Sequence, residues 1–208
     1  MKYKTKIEKL KLKSNKEKDL KLKELDFLRN QFNTNITFDF LNHCHDIIQK
    51  ESVDTADGIS TFSKMLLYSL NNKLSEKTLL KNEVLYIEDF IKIYRLLNEN
   101  TQVNLEIIYA SENIYVFPGI LIGFVENAFK HGDLHSLDHP ITIKLDASTE
   151  QIDFTVTNKK NKHKIIESSG IGNHNLKQQL ELLYKDKYTL KIDDLEETYS
   201  CAIKILLK

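Results

Sequence analysis

The spacing of apolar residues changes once along this chain, near residue 100, and that change limits the fold more than any other feature. Before it, apolar side chains recur every three or four residues, as on one face of a helix. Leu25, Leu28 and Phe32 keep this spacing, and Phe38, Leu41, Cys44 and Ile48 continue it over about 30–51. A second helix is expected over about 56–71, burying Ile59, Phe62, Leu66 and Leu70. A third is expected over about 80–98, burying Val84, Ile87, Ile91, Tyr94 and Leu97. After residue 100 the apolar residues alternate with polar ones, which is strand spacing. The alternating sets are Val103, Leu105, Ile107; Ile141, Ile143, Leu145; Ile152, Phe154, Val156; Tyr188, Leu190, Ile192; and Tyr199, Cys201, Ile203, Ile205. Helical stretches over about 118–131 and 173–184 lie between them. The expected class is α+β: a helical hairpin, then an α/β sandwich with a mixed sheet and helices on one face. The expected divisions are a leading helix or linker over 1–29, a helical region over 30–100 and the sheet-bearing region over 101–208.

A chain of 208 residues is long enough to bury a sizeable core. Its 30 basic and 30 acidic residues cancel, which argues against a nucleic-acid partner. The cancellation is global only. Residues 1–30 hold eleven basic and five acidic side chains, a local +6 that leaves −6 on the rest. A basic leader of this kind reads as a solvated helix or a membrane-proximal segment. The longest apolar run, Ile114–Val125, is broken by Pro118, Gly119 and Gly123, so no stretch of about 18 apolar residues exists. The lysines at the N-terminus lack the apolar region of a signal peptide. Two cysteines, Cys44 and Cys201, suit a reducing compartment and read as buried apolar side chains. These features together point to a cytoplasmic protein, or the cytoplasmic piece of one.

The densest chemistry lies in Val125-Glu126-Asn127-Ala128-Phe129-Lys130-His131-Gly132. At 100° per residue, Leu121, Phe124, Val125 and Ala128 share one side of a helix. Gly123, Glu126, Asn127, Lys130 and His131 share the other, with Glu126–Lys130 and Asn127–His131 at i,i+4. A solvated polar face with an ion pair would look the same. Three features favour a binding site. Gly123 lets something approach the helix backbone. The Asn127 amide can ligate a hard cation while Lys130 meets a phosphate. Ser169-Gly170-Ile171-Gly172 then precedes a second helix, and backbone N–H groups at such a start bind phosphate. Each element alone is weak, and the two in this order are stronger. His131, His135 and His139 are four apart, but Gly132 and Pro140 make a loop the expectation there rather than a zinc site.

Over about 28–207 the chain resembles sensor histidine kinases of the LytS-like type, whose ATP-binding half belongs to the GHKL superfamily. Val125–Gly132 is similar to the family's V-E-N-A-x-K-H-G box, and Ser169–Leu180 to S-G-I-G-L-x-N-x-x-x-R-L. Leu28–Asn33 resembles the L-R-x-Q-I-N that opens the phospho-acceptor helix. Tyr86–Arg95 is similar, less specifically, to Y-I-x-x-Y-I-x-I-x-x-x-R. The resemblance implies ATP and Mg²⁺ as ligands. Asn127 would hold the metal, and Lys130 and His131 would sit by the phosphates. Glu126 would act as base or polariser, and Gly170 and Gly172 would belong to the phosphate turn. It also implies a homodimer through helices 30–71 and a response regulator or partner kinase.

Two departures from the pattern matter. The family's adenine-reading Asp, in D-x-G-x-G, falls on Asn158 of Val156-Thr157-Asn158-Lys159-Lys160, and the glycines that follow it in the pattern are missing. An amide oxygen still accepts a hydrogen bond, without the charge. The acceptor segment N-P-H-F-L-F-N reads Asn33-Thr34-Asn35-Ile36-Thr37-Phe38-Asp39, so the phosphorylated histidine falls on Asn35. A carboxamide nitrogen is delocalised and is no nucleophile. His43 and His45 lie roughly 80° to either side of Asn35 on a helix and at least about 12 Å along it. The expectation is a pseudokinase that binds ATP and dimerises. The alternatives are an active kinase using another histidine, and an ATP-independent interaction module.

Overall fold

The computed structural model describes residues 40, 43–44, 54–71, 76–161 and 171–208. The leading segment 1–29, most of the helix expected over 30–51, Asn35 and Gly170 lie outside these residues. In chain order the elements are α1 (Asp54–Asn71), β1 (Thr78–Leu79), α2 (Leu80–Leu97), β2 (Val103–Tyr109) and β3 (Tyr115–Val116). They continue with α3 (Ile120–His131), β4 (Ile141–Ala147), β5 (Gln151–Lys159) and α4 (Ile171–Leu183). A 3-10 turn (Lys185–Lys187), β6 (Tyr188–Asp194) and β7 (Thr198–Leu206) complete them.

The chain is α+β with a mixed five-stranded sheet in the order β2-β4-β5-β7-β6. β2 runs parallel to β4, with Val103 opposite Ile141, and the other pairs are antiparallel. A parallel pair needs a crossover that leaves the sheet and returns. Residues 110–140 supply it, and α3 is its helix. Strict alternation builds one buried face: Ile141, Ile143, Leu145 and Ala147; Ile152, Phe154, Val156 and Asn158; Cys201, Ile203 and Ile205. α3 covers that face, with Phe124 and Phe154 edge-to-face at 6.2 Å. β6 is an edge strand, so its alternation does not translate into burial, and Ile192 is 44% exposed.

α1 and α2 pack as a hairpin. The contact line of α1 differs from the expected one. Ile59 is 43% exposed, whereas Thr61, Phe62, Met65 and Ser69 are buried. The cause is Gly58, where the helices come together. A Cβ there would lie 3.0 Å from Leu96 Cδ1 and 3.5 Å from the Phe40 ring. With Gly58 on the contact line, Ile59, about 100° further round the helix, faces outward. Phe40 in turn stacks on Phe62 at 4.5 Å.

α2 buries far more than one stripe: Leu80, Glu83, Val84, Tyr86, Ile87, Phe90, Ile91 and Ile93. It is sandwiched between α1 and the helices over the sheet. Phe129 of α3 meets Phe90 at 5.2 Å and Tyr94 at 4.7 Å. β1 pairs antiparallel with β3, and Leu80 N–H donates to Ile114 O at 2.7 Å. Side-chain packing therefore runs unbroken across the change of period at residue 100, within one core cluster reaching from Phe40 to Ile205. No helix among the described residues is long and apolar enough to cross a membrane.

Candidate functional site

The site is built on α3, and both ends of that helix are held by other elements. Pro118 and Gly119 precede it, and Gly119 adopts a left-handed conformation (φ 76°) that favours glycine. No side chain of the helix's own start caps it. Glu83 of α2 does so instead. Its Oε1 accepts from Gly119 N–H at 2.8 Å and its Oε2 from Leu121 N–H at 3.4 Å. The same Oε1 accepts from the Tyr68 hydroxyl of α1 at 2.5 Å. Next to this, Tyr184 Oη accepts from Phe117 N–H at 2.9 Å. Burial first, then the Glu83 charge, pushes the Tyr184 phenol up, while the Phe117 bond opposes them.

Along α3 the expected division of faces is present. Ile120, Leu121, Ile122, Phe124, Val125, Ala128 and Phe129 are buried. Gly123, Glu126, Asn127 and His131 are half-buried, and Lys130 is exposed. What Gly123 admits is another helix. A Cβ there would meet Leu176 Cδ1 of α4 at 3.1 Å. The two sequence elements singled out together, the Glu126–His131 stripe and the start of α4, are thus on helices in contact. Gly172 lies in the first turn of α4, one turn before Leu176.

The C-terminal end of α3 is fastened to the end of β5. Asp133 N–H donates to Lys159 O at 2.8 Å, Asn161 N–H donates to His131 O at 3.0 Å, and Gly132 bridges Lys160. Gly132 faces Asn158 so closely that a Cβ would lie 3.1 Å from Asn158 Cβ and 3.2 Å from its Nδ2. Asn158, only 2% exposed, therefore abuts the end of the box helix, though thirty-one residues separate it from Asn127. Its Nδ2 donates to Lys159 O at 3.0 Å. Its Oδ1 accepts no hydrogen bond among the described residues. A buried acceptor without a donor is costly and uncommon, and an amino group of a ligand would satisfy it.

Lys160 stands where the resembling family has glycine. Its Nζ reaches Asp194 Oδ1 and Leu195 O, both at 2.5 Å, which ties the end of β5 to the β6–β7 turn. The stretch holding His135 and His139 is a loop, as expected. Asp133 Oδ1 accepts from His135 N–H at 3.1 Å, and Ser136 Oγ from His139 N–H at 3.3 Å. Among the described residues no group of three or more His, Cys, Asp or Glu is placed to hold a metal ion. A Mg²⁺ that keeps its waters and takes phosphate oxygens needs only one or two protein ligands, and the single amide of Asn127 suits that demand. A separate groove between α2 and β2 is lined by Glu88, Ile91, Arg95, Val103 and Leu105, and no residue of α3 lines it.

Sequence reasoning did not single out Glu83, which is 0% exposed. Its signal was present. Glu83 lies three residues after Leu80 and four before Ile87, so it is a carboxylate on an apolar stripe.

Residues 23–101 match the family model described as histidine kinase. That span contains Leu28–Asn33, Asn35 and Tyr86–Arg95. No curated protein matches the chain. Among solved structures, the chain is similar to the histidine kinase AdeS of Acinetobacter baumannii, with 14% identity and a TM-score of 0.45, covering 86% of this chain and 98% of that one. It is also similar to the histidine kinase domain of a blue-light-activated kinase of Erythrobacter litoralis, with 14% identity, a TM-score of 0.45, and coverages of 92% and 93%. A third similar structure is histidine kinase ThkA in complex with the response regulator TrrA. It has 12% identity, a TM-score of 0.44, and coverages of 95% and 66%.

Proposed function

We propose that this chain is a histidine-kinase-like signalling protein of the two-component type, with a GHKL-type nucleotide site and no phospho-acceptor at the usual position. The observation that carries the reading is the junction of α3 with β5. It brings the helix of the Glu126–His131 stripe against a buried Asn158 whose Oδ1 accepts no hydrogen bond among the described residues. In this reading ATP and Mg²⁺ are the ligands. Asn158 accepts from the adenine amino group, Asn127 ligates the metal, and Lys130 and His131 face the phosphates. Glu126 orients or polarises at the reacting end. Gly170 and Gly172 belong to the phosphate turn before and at the start of α4. Bound Mg²⁺ would supply charge neutralisation across the phosphates.

The histidine-kinase match over 23–101 supports the class, and it spans Asn35, which in this reading stands at the acceptor position. An amide nitrogen cannot take the phosphoryl group, so the protein acts by binding and conformation. Dimerisation through helices 30–71 and a response regulator or partner kinase as its target complete the proposal. One observation favours a second reading, an interaction module that works without nucleotide. The Lys160 side chain, fixed to Asp194 and Leu195, stands where a glycine would leave the backbone open.

Incubation with γ-labelled ATP and Mg²⁺ tests the proposal. The wild type should acquire no acid-labile, alkali-stable label, and Asn35→His should acquire one if nucleotide is bound in a competent pose. Such a label on the wild type would overturn the pseudokinase reading and favour another histidine.

A further inference from the structure

Glu83 is a fully buried carboxylate that the proposed nucleotide chemistry does not use. It joins three helices through one side chain: Tyr68 of α1 donates to it, it belongs to α2, and it accepts at the start of α3 from the N–H of the capping Gly119 and from that of Leu121. We propose that Glu83 is a positioning residue that transmits the placement of α1 to the Glu126–His131 stripe on α3. The claim that this stripe is a nucleotide site rests on the function proposed above, whereas the mechanical link does not.

α3 is held differently at its two ends. Its C-terminal end is fixed to β5 by the bonds at His131, Asp133 and the Gly132–Lys160 bridge. Its N-terminal end has no cap of its own and a left-handed glycine before it. The carboxylate of Glu83 replaces the missing cap and sits at the positive end of the helix dipole. Its Oε1 is shared between Gly119 N–H and the Tyr68 hydroxyl. A buried carboxylate that loses a donor must move toward another, because leaving it underbonded is costly. If α1 shifts or rotates and withdraws Tyr68, the carboxylate moves, and the start of α3 follows. A helix is stiff enough to pass this on. A rotation of about 20° displaces a side-chain tip at the helix surface by roughly 2 Å. That is enough to make or break a contact by Asn127 or Lys130. Tyr184, bonded to Phe117 N–H, steadies the approach to α3 from the side of α4.

Tyr68→Phe removes the Tyr68 donor to Glu83. It removes one hydroxyl and keeps the ring, which packs on Tyr86 at 5.0 Å. Amide hydrogen exchange of the full chain, without nucleotide, is compared between wild type and Tyr68→Phe, with Glu83→Gln as a second variant. The expected result is that α3 amides from Leu121 to Lys130 exchange about tenfold faster, the order set by one hydrogen bond to a charged group. Amides of β4 and β5 should keep their rates. Unchanged rates in α3, or equal acceleration in β4 and β5, would overturn the link. If Glu83→Gln fails to fold, Tyr68→Phe still decides the matter. Mg-ATP affinity of the same two proteins separates the two claims. A wild type with no affinity overturns the nucleotide reading and leaves the exchange result standing. Equal affinity in wild type and Tyr68→Phe overturns transmission to the stripe.

Discussion

Gly132→Ala is a severe test of how the site is assembled. The φ of Gly132 is −82°, which any residue adopts, so backbone preference adds nothing to the cost. The cost is steric. The new Cβ would lie well inside 3.0 Å of the Ala128 carbonyl oxygen and 3.1 Å from Asn158 Cβ. Neither neighbour is the loose end of a side chain. The Ala128 carbonyl is helix backbone and also accepts from Gly132 N–H at 2.7 Å, while Asn158 is enclosed between strand and helix. Relief requires the end of α3 to part from β5, which strains the bonds Asp133 N–H to Lys159 O and Asn161 N–H to His131 O. Overpacking of this kind costs about 1–3 kcal/mol, and weakening the two bonds adds about 1 kcal/mol. A loss near 3 kcal/mol lowers Tm by roughly 6–12 °C for a chain of this size. Thermal unfolding followed by far-UV circular dichroism reads it. Gly58→Ala is the control, because its Cβ meets the tip of Leu96, a flexible side chain, and gains about 1 kcal/mol of helix propensity. That variant should stay within about 1 kcal/mol of wild type. A Gly132→Ala protein that melts within 2 °C of wild type, roughly the effect of under 1 kcal/mol, would refute the close apposition of Gly132 and Asn158.

Phe129→Ala should cost about 3–5 kcal/mol in urea unfolding, because the ring is fully buried and joins α2 to α3 through Phe90 and Tyr94. A cost under about 1 kcal/mol would deny that the helical hairpin and the sheet layer share one core. Burial pushes the Cys201 thiol up to about 11, against a smaller lowering by its hydrogen bond with Tyr199. The unfolded chain ionises that thiol near its ordinary value, about 8.5. The protonated thiol therefore contributes fully below about pH 8.5, and its contribution is lost as pH rises through about 11. Melting of wild type against Cys201→Ala over that window should show the wild type alone losing this increment. Identical pH profiles would deny the burial.

The strands were legible because alternation is a local signal and one face of this sheet is solvated. Ile141, Ile143 and Leu145, then Ile152, Phe154 and Val156, sit on the buried face as their spacing requires. The strand order was not legible. It depends on β2 pairing with β4 across residues 110–140, a choice made by packing. The pair β1–β3 is two residues long on each side and has no period to detect. α1 is legible, but its buried line includes Gly58, whose contact with Leu96 is a property of the helix pair. At the site, the arc of Glu126, Asn127, Lys130 and His131 followed from helix geometry alone. The proximity of Asn158 to Gly132, the role of Gly123 as the seat of Leu176, and the capping by Glu83 all involve partners more than twenty residues away. No local pattern encodes such partners. The misplaced charge on the stripe of α2 came nearest to doing so.

The proposed function requires that the chain bind nucleotide although Asn35 stands at the position proposed for the acceptor. Calorimetric titration of the full chain with ATP at millimolar Mg²⁺ tests it most directly, run on wild type and on Asn158→Ala. The account predicts saturable binding to the wild type and about tenfold weaker binding to Asn158→Ala, the loss of one buried hydrogen bond. No binding to the wild type at any attainable ATP concentration, with the fold intact, would contradict it and leave the interaction module.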